Sequence, residues 1–320
     1  MEDTIRRFPE QFQWDPVVEH NEVLRSHPHF IICGMGGSQL GAMLVAQYGP
    51  IHNITIHKDY GLPNISPEIV EKALVILSSY SGTTEETLDA GREALARGLS
   101  IAAISTGGKL IDFANEHALP HIVLPDMKLQ PRLATGLSML ALARMMGNED
   151  LEHRIRTAGE AIDPLAGQTG GREIAEMLRG RVPLFYTSTA NAALGYVWKI
   201  KLNETSKVPA FANVVPEMCH NELCGLDVGE STINLSVNLH AVFLEDASDH
   251  DRNKKRMQIA GEILEERGIP VLRVPLAGES FEKVFASTIT ADWVSYYLAQ
   301  YYKVPDEATP LIADFKKRMA

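Results

Sequence analysis

Cysteine is scarce: 320 residues hold three, Cys33, Cys219 and Cys224. An odd, widely scattered trio builds no disulfide framework, so reduced thiols in a cytoplasmic protein are expected. Long apolar runs are missing too. No stretch approaches the roughly 18 residues of a membrane-spanning helix, and the start, MEDTIRRFPEQF, is charged and has no apolar signal-peptide core. No membrane partner is expected. Positive charge is in short supply, with 30 Lys and Arg against 41 Asp and Glu and a net charge of −11. That balance argues against nucleic acid as a partner, and any anionic ligand must be held by local geometry. Several motifs are absent as well. There is no G-K-[ST] phosphate loop, no H-E-x-x-H, and no second half to complete a tetrahedral metal site around Cys219, His220 and Cys224. Neither a metal nor a cofactor is expected.

What is present is an ordinary globular composition, 45% apolar, in a chain long enough for two domains. From Phe30 onward, short apolar runs alternate with helical patterns: FIICG, NITIH, ALVILSS, SIAAIS and HIVLP. This is α/β order and predicts a mainly parallel sheet flanked by helices. An apolar helical stretch at 137–146 is broken by GNED, which puts a domain boundary at Gly147 and predicts domains 1–147 and 148–320. The pattern then restarts: VPLFYTS, a helix from Asn191, LHAVFLE, a helix over 252–267, and IPVLRVP. Two last helices, 280–302 and 309–319, are separated by the turn VPDEATP. The second half reads as a diverged copy of the first.

Two loops carry most of the chemical information. SSYSGTTEETL, residues 78–88, follows a buried strand and opens a helix. A helix N-terminus offers unpaired N–H groups and partial positive charge to a phosphate, and Ser79, Ser81 and Thr84 add hydroxyl donors. The same residues also allow a plain capping box between Thr83 and Glu86. GMGGSQLG, residues 34–41, again joins a strand to a helix, with glycines that permit close backbone approach to a ligand. It partly fits a dinucleotide fingerprint, with Asp59 as ribose acid, but Gln39 stands where the third glycine belongs. A nicotinamide-dependent oxidoreductase is therefore a weaker alternative.

In the second half, 203–225 (NETSKVPAFANVVPEMCHNELCG) is too proline-broken to form one helix. Ala193, Val197, Ile200 and Glu204 fall on one row at i, i+4, i+7 and i+11, so a carboxylate continues an apolar face near a helix C-terminus. Both surroundings disfavour the anion, as suits a group that must take up a proton. A structural ion pair with Lys207 is the competing reading.

GMGGSQLG, SSYSGTTEETL and ISTGGKL, in that order on successive strand ends, resemble the sugar isomerase (SIS) domain. The resemblance implies that Ser38, Ser79, Ser81 and Thr84 hold a sugar phosphate beside the Gly36 and Gly37 backbone. With PRLATG at 131–136, NETSK, PEMCHNELCG and a lysine in the last helix, nearly the whole chain is similar to the bifunctional phosphoglucose/phosphomannose isomerase family. That resemblance implies two SIS-type domains and a cofactor-free interconversion of glucose 6-phosphate and mannose 6-phosphate with fructose 6-phosphate. It implies Glu204 as the base, His220 as an aid to ring opening, Lys316 as its support and Arg132 as the cation facing the enediolate, with Thr309 associated with acceptance of mannose 6-phosphate. Lys317, beside Lys316, is the competing lysine. A homodimer with His220 donated across the interface is also implied. A non-catalytic phosphosugar sensor would keep the serine loops yet dispense with Glu204, His220 and Arg132.

Overall fold

The computed structural model describes residues 1–50 and 53–319. The chain divides into two compact units, one of Arg7–Ile162 and the other of Met1–Arg6 with Asp163–Ala320. The division falls later than the expected boundary at Gly147. The glycine does end a helix, with φ +65°, but the next helix, Glu149–Ala161, packs back on the first unit. Its Glu152 receives Arg144 at 2.7 Å and Arg156 at 2.9 Å, and Arg156 also donates to the Trp14 carbonyl at 2.8 Å. The first six residues belong with the other unit through Tyr296, whose hydroxyl donates to Glu2 Oε2 at 3.1 Å.

The first unit is built on five strands: β1 (His29–Cys33), β2 (Ile54–His57), β3 (Ala73–Ser78), β4 (Ser100–Ser105) and β5 (His121–Val123). They pair in the order β2-β1-β3-β4-β5, every neighbouring pair parallel. β3 is buried along its whole length, as a strand covered on both faces requires. Successive side chains alternate between two apolar layers. Ile31, Val75, Leu77, Ile101 and Ala103 pack on one side with Leu88 and Ala90 of helix Glu85–Ala96. Ile32, Leu74, Ile76, Ala102 and Ile104 face the other side with Leu137 and Ala141 of helix Thr135–Met145. The apolar runs seen in the sequence are thus strands, with central β3 buried throughout and edge strands β2 and β5 only partly covered.

The second unit carries β6 (Val182–Ser188), β7 (Phe211–Val215), β8 (Leu239–Asp246) and β9 (Val271–Leu276) in the order β7-β6-β8-β9, again parallel throughout. β7 lies inside the proline-broken segment and was not expected as a strand. It is an edge strand whose Phe211 is exposed, so it has no continuous apolar signature. The second half does repeat the plan of the first, with an edge strand, a central strand and two further strands in matching order. The long helix Ser280–Tyr302 covers this sheet and is followed by Pro310–Met319, whose side chains are all exposed.

Candidate active site

In an open parallel sheet, ligands bind beyond the carboxyl ends of the strands where the strand order reverses. In the first unit that point lies between β1 and β3, and the register makes their ends level: Cys33 pairs with Leu77. The two informative loops emerge there side by side. A Cβ on Gly34 would stand 2.8 Å from the Ser78 carbonyl oxygen, so a larger residue would force the loops apart.

The two loops are hydrogen-bonded to each other. The Tyr80 amide donates to Ser38 Oγ at 2.9 Å, which leaves the Ser38 proton free to point at a ligand oxygen. Ser79 Oγ and Thr84 Oγ1 lie 2.7 Å apart, and Ser81 Oγ lies 3.1 Å from Thr83 Oγ1. The capping box between Thr83 and Glu86 is therefore not what opens this helix. Thr84 is the residue before its first turn, and its side chain caps no backbone N–H but turns to Ser79. The helix N–H groups are left for an anion, the arrangement that suits a phosphate. ISTGGKL braces this loop: Thr106 Oγ1 donates to the Tyr80 carbonyl at 2.7 Å, and Leu110 N to the Gly82 carbonyl at 2.9 Å. Gly82 is held at φ +67°, and a Cβ there would come within 1.8 Å of the Gly107 carbonyl oxygen. Gly36, at φ +53°, opens the turn Gly36–Gln39 after β1 and faces open space.

Arg132 joins the same corner. It lies in the turn Pro131–Leu133 that leads into helix Thr135–Met145, and it is fully buried. A Cβ on Gly37 would stand 2.5 Å from the Arg132 amide nitrogen, so the backbone of the glycine loop and that of the arginine turn are in contact. The turn that carries a permanently charged residue is thereby packed against the glycine loop, inside a chain of net charge −11.

The remaining expected residues belong to the other unit and stand on three separate elements. Ala193, Val197 and Ile200 are buried as the helical row requires, in helix Ala192–Lys201. At Leu202 the helix widens into a π-turn, Leu202–Ser206, and Glu204 sits in it half-buried. Such turns recur at functional sites. Lys207 follows in the left-handed region at φ 57°, and its ammonium donates to the carbonyls of Glu204 at 2.7 Å and Thr205 at 3.2 Å, which closes the helix end. Glu204 acts electrostatically on half-buried Tyr196, whose hydroxyl is pushed up first by burial and then by that charge. His220 ends a short turn, Glu217–His220, after β7 and is exposed. Its neighbourhood is tied down by Glu222, which accepts from the Tyr186 hydroxyl at 2.7 Å and from Asn213 Nδ2 at 2.5 Å. Lys316 and Lys317 are both exposed on helix Pro310–Met319, and Thr309 is the residue before it, its carbonyl accepting from Ala313 N at 3.1 Å.

Two clusters were missed in the sequence. At the reversal point of the second sheet, between β6 and β8, the chain fills the crevice with its own groups. Ser188 Oγ donates to Asp249 at 2.5 Å, Asn191 Nδ2 to Asp246 at 3.1 Å, and Lys283 pairs with Asp246 at 2.5 Å. Burial pushes the Asp246 carboxyl up, but Lys283, Ser248 and Asn191 outweigh it and hold it down at about 2. The second cluster is the pair Lys201 and Asp292, 2.8 Å apart and buried. Its signal was in plain sight, since Lys201 continues the row Ala193, Val197 at i+4. Among the described residues, no group of three or more His, Cys, Asp or Glu could hold a metal ion, and no helix is long and apolar enough to cross a membrane.

The chain is similar to known proteins in sequence and in fold. Residues 168–319 match the family model for the bacterial phospho-glucose isomerase C-terminal SIS domain. The bifunctional phosphoglucose/phosphomannose isomerase of Aquifex aeolicus is 31% identical over 305 residues, covering 93% of this chain and 91% of the relative. The enzyme of that name from Caldicellulosiruptor bescii is 31% identical over 299 residues, covering 88% and 86%. In structure, a hypothetical protein from Thermus thermophilus superposes with a TM-score of 0.69 at 18% identity, over 100% of this chain and 88% of that one, which shows a common fold. From the loops to the terminal helix, this chain belongs to the bifunctional phosphoglucose/phosphomannose isomerase family.

Proposed function

We propose that the protein is an aldose–ketose isomerase that interconverts glucose 6-phosphate and mannose 6-phosphate with fructose 6-phosphate through an enediolate. The observation that carries this reading is the corner at β1 and β3, where Ser38, Ser79, Ser81 and Thr84 surround a free helix N-terminus beside the turn of Arg132. The phosphate is bound there, with the Gly36 and Gly37 backbone alongside.

The chemistry follows from the residue types. In the open-chain aldose the hydrogen on C2 is acidified by the C1 carbonyl; Glu204 removes it, and the electron pair moves into a C1–C2 double bond with charge on oxygen. The Arg132 guanidinium stabilises that charge, since it cannot lose its proton. The O2 hydroxyl proton passes to O1, and Glu204, now a carboxylic acid, returns its proton to C1 as the C2–O2 carbonyl forms, so the ketose results. The C2 proton can be taken from either epimer, which is how one base serves glucose and mannose configurations; Thr309 bears on acceptance of the second. No external oxidant or reductant is needed in this sequence of steps, because C1 is reduced as C2 is oxidised. His220 and Lys316 assist the preceding ring opening. The exposure of His220 in a single chain supports a homodimer in which this side chain serves the partner's site. The charge balance and scattered cysteines support work in the cytoplasm.

A coupled assay with fructose 6-phosphate in EDTA, following glucose 6-phosphate and mannose 6-phosphate separately, tests the reading. Both products are expected. Glu204→Gln is expected to lower kcat by about 10² to 10⁴ with phosphosugar binding retained. Near-normal turnover in that variant would remove Glu204 as the base, and phosphosugar binding without either product would favour a sensor.

A further inference from the structure

The π-turn that presents Glu204 begins directly after a buried ion pair. Lys201 is 0% exposed and Asp292 is 2% exposed. The Lys201 ammonium lies 2.8 Å from Asp292 Oδ1 and 2.9 Å from Oδ2, so it is shared by both carboxylate oxygens. Asp292 belongs to helix Ser280–Tyr302, against which the π-turn and the helix before it are packed. One turn back, Trp198 Nε1 donates to Ser287 Oγ at 2.9 Å, so the same two helices are pinned at two levels.

An ion pair removed from water contributes less to stability than an apolar pair of the same volume would, because both charges lose their hydration. What such a pair does supply is register: an ammonium gripped by two oxygens cannot slide along the facing helix as a leucine can. The register matters at this place. Beyond Lys201 the backbone leaves regular helical geometry, and Ser206 Oγ bonding the Leu202 carbonyl at 2.7 Å and the Ala210 amide bonding Asn203 Oδ1 at 2.8 Å close the wide turn. Glu204 stands at its centre. A carboxylate that shuttles a proton between adjacent carbons has to hold its oxygens within a fraction of an ångström, and a displacement of about 1 Å can cost on the order of a hundredfold in rate.

We propose that Lys201 and Asp292 are a positioning pair for the isomerase, fixing the start of the π-turn and with it the place of the Glu204 carboxylate. The proposal rests on Glu204 being the base, and the experiment separates the two. Wild type and Glu204→Gln are assayed first with fructose 6-phosphate. If wild type is silent, or Glu204→Gln matches it, the functional reading fails irrespective of the pair. With that reading standing, the double variant Lys201→Met/Asp292→Leu removes both charges of the pair together. It is expected to keep its Tm while kcat falls about tenfold or more and KM stays within about twofold, a split that a merely structural pair would not produce. A folded double variant with wild-type kcat overturns the proposal. Should the double variant not fold, Asp292→Glu decides: it keeps the pair but lengthens one arm by a methylene. A lowered kcat at unchanged KM then supports positioning, and an unchanged kcat overturns it.

Discussion

At the scale of single residues, the candidate groups differ in exposure. Glu204 is half-buried in a turn built around it, whereas His220 is exposed on a short turn anchored two residues later by Glu222. A group that only helps to open a sugar ring is not needed once the ring is open. His220→Ala is therefore expected to lower turnover of closed-ring glucose 6-phosphate by roughly tenfold to a hundredfold, with a much smaller effect on open-chain substrate, read by stopped-flow with pre-opened aldose. Equal losses on both forms would remove the ring-opening role. Arg132, the proposed enediolate cation, is fully buried, which sets it apart from exposed His220.

At the scale of elements, the site depends on how closely loops approach, and glycine marks the places. Gly37 touches the Arg132 backbone, with 2.5 Å between the position of a Cβ and the Arg132 amide nitrogen. Gly37→Ala must push the arginine turn away from the phosphate loop. The fold tolerates an extra methyl at a cost of about 1–3 kcal/mol, but the guanidinium moves relative to the bound sugar. The expected result is a folded protein with kcat/KM on fructose 6-phosphate lowered about tenfold or more, measured beside urea unfolding of the same sample. Retained kcat/KM would mean that the approach of the two loops is immaterial to catalysis.

At the scale of the whole molecule, a buried histidine outside the candidate catalytic groups makes stability depend on acid. His240, near the start of β8, is 6% exposed with Nδ1 unpartnered. Burial first, and the positive charge of Arg181 second, push its ring down to about 4. The unfolded chain takes a proton near pH 6.5 and the folded one does not, so this contribution is fully present above about pH 6.5 and lost as pH falls toward 4. The loss is on the order of 2 kcal/mol after allowance for solvent at the ring edge. His240→Gln is expected to flatten that part of the stability–pH curve, followed by urea midpoints at pH 7.5 and 4.5. Unchanged curvature would place the acid sensitivity elsewhere. The same scale distinguishes the two sheets. They share a strand order, yet only the first leaves hydroxyls and a helix N-terminus open at its reversal point, while Lys283, Asp246 and Asp249 fill the second.

Local pattern by itself determined the two α/β halves, eight of the nine described strands and the two strand-to-helix loops, because a strand packed between helices leaves a short apolar run and a strand-to-helix turn leaves its glycines and hydroxyls in order. It also carried the row that leads to Glu204 and the motifs that carry the family resemblance. Only the tertiary structure decided that Phe211–Val215 is a strand, since an edge strand takes its hydrogen bonds from β6 and not from its own sequence. Only the tertiary structure decided that helix Glu149–Ala161 packs with the first unit, that Thr84 turns to Ser79 instead of capping, and that Arg132 lies against Gly37. The pairing of Lys201 with Asp292 belongs with these: a lysine on an apolar row announces that a partner is needed, but the partner is ninety-one residues away and is chosen by packing.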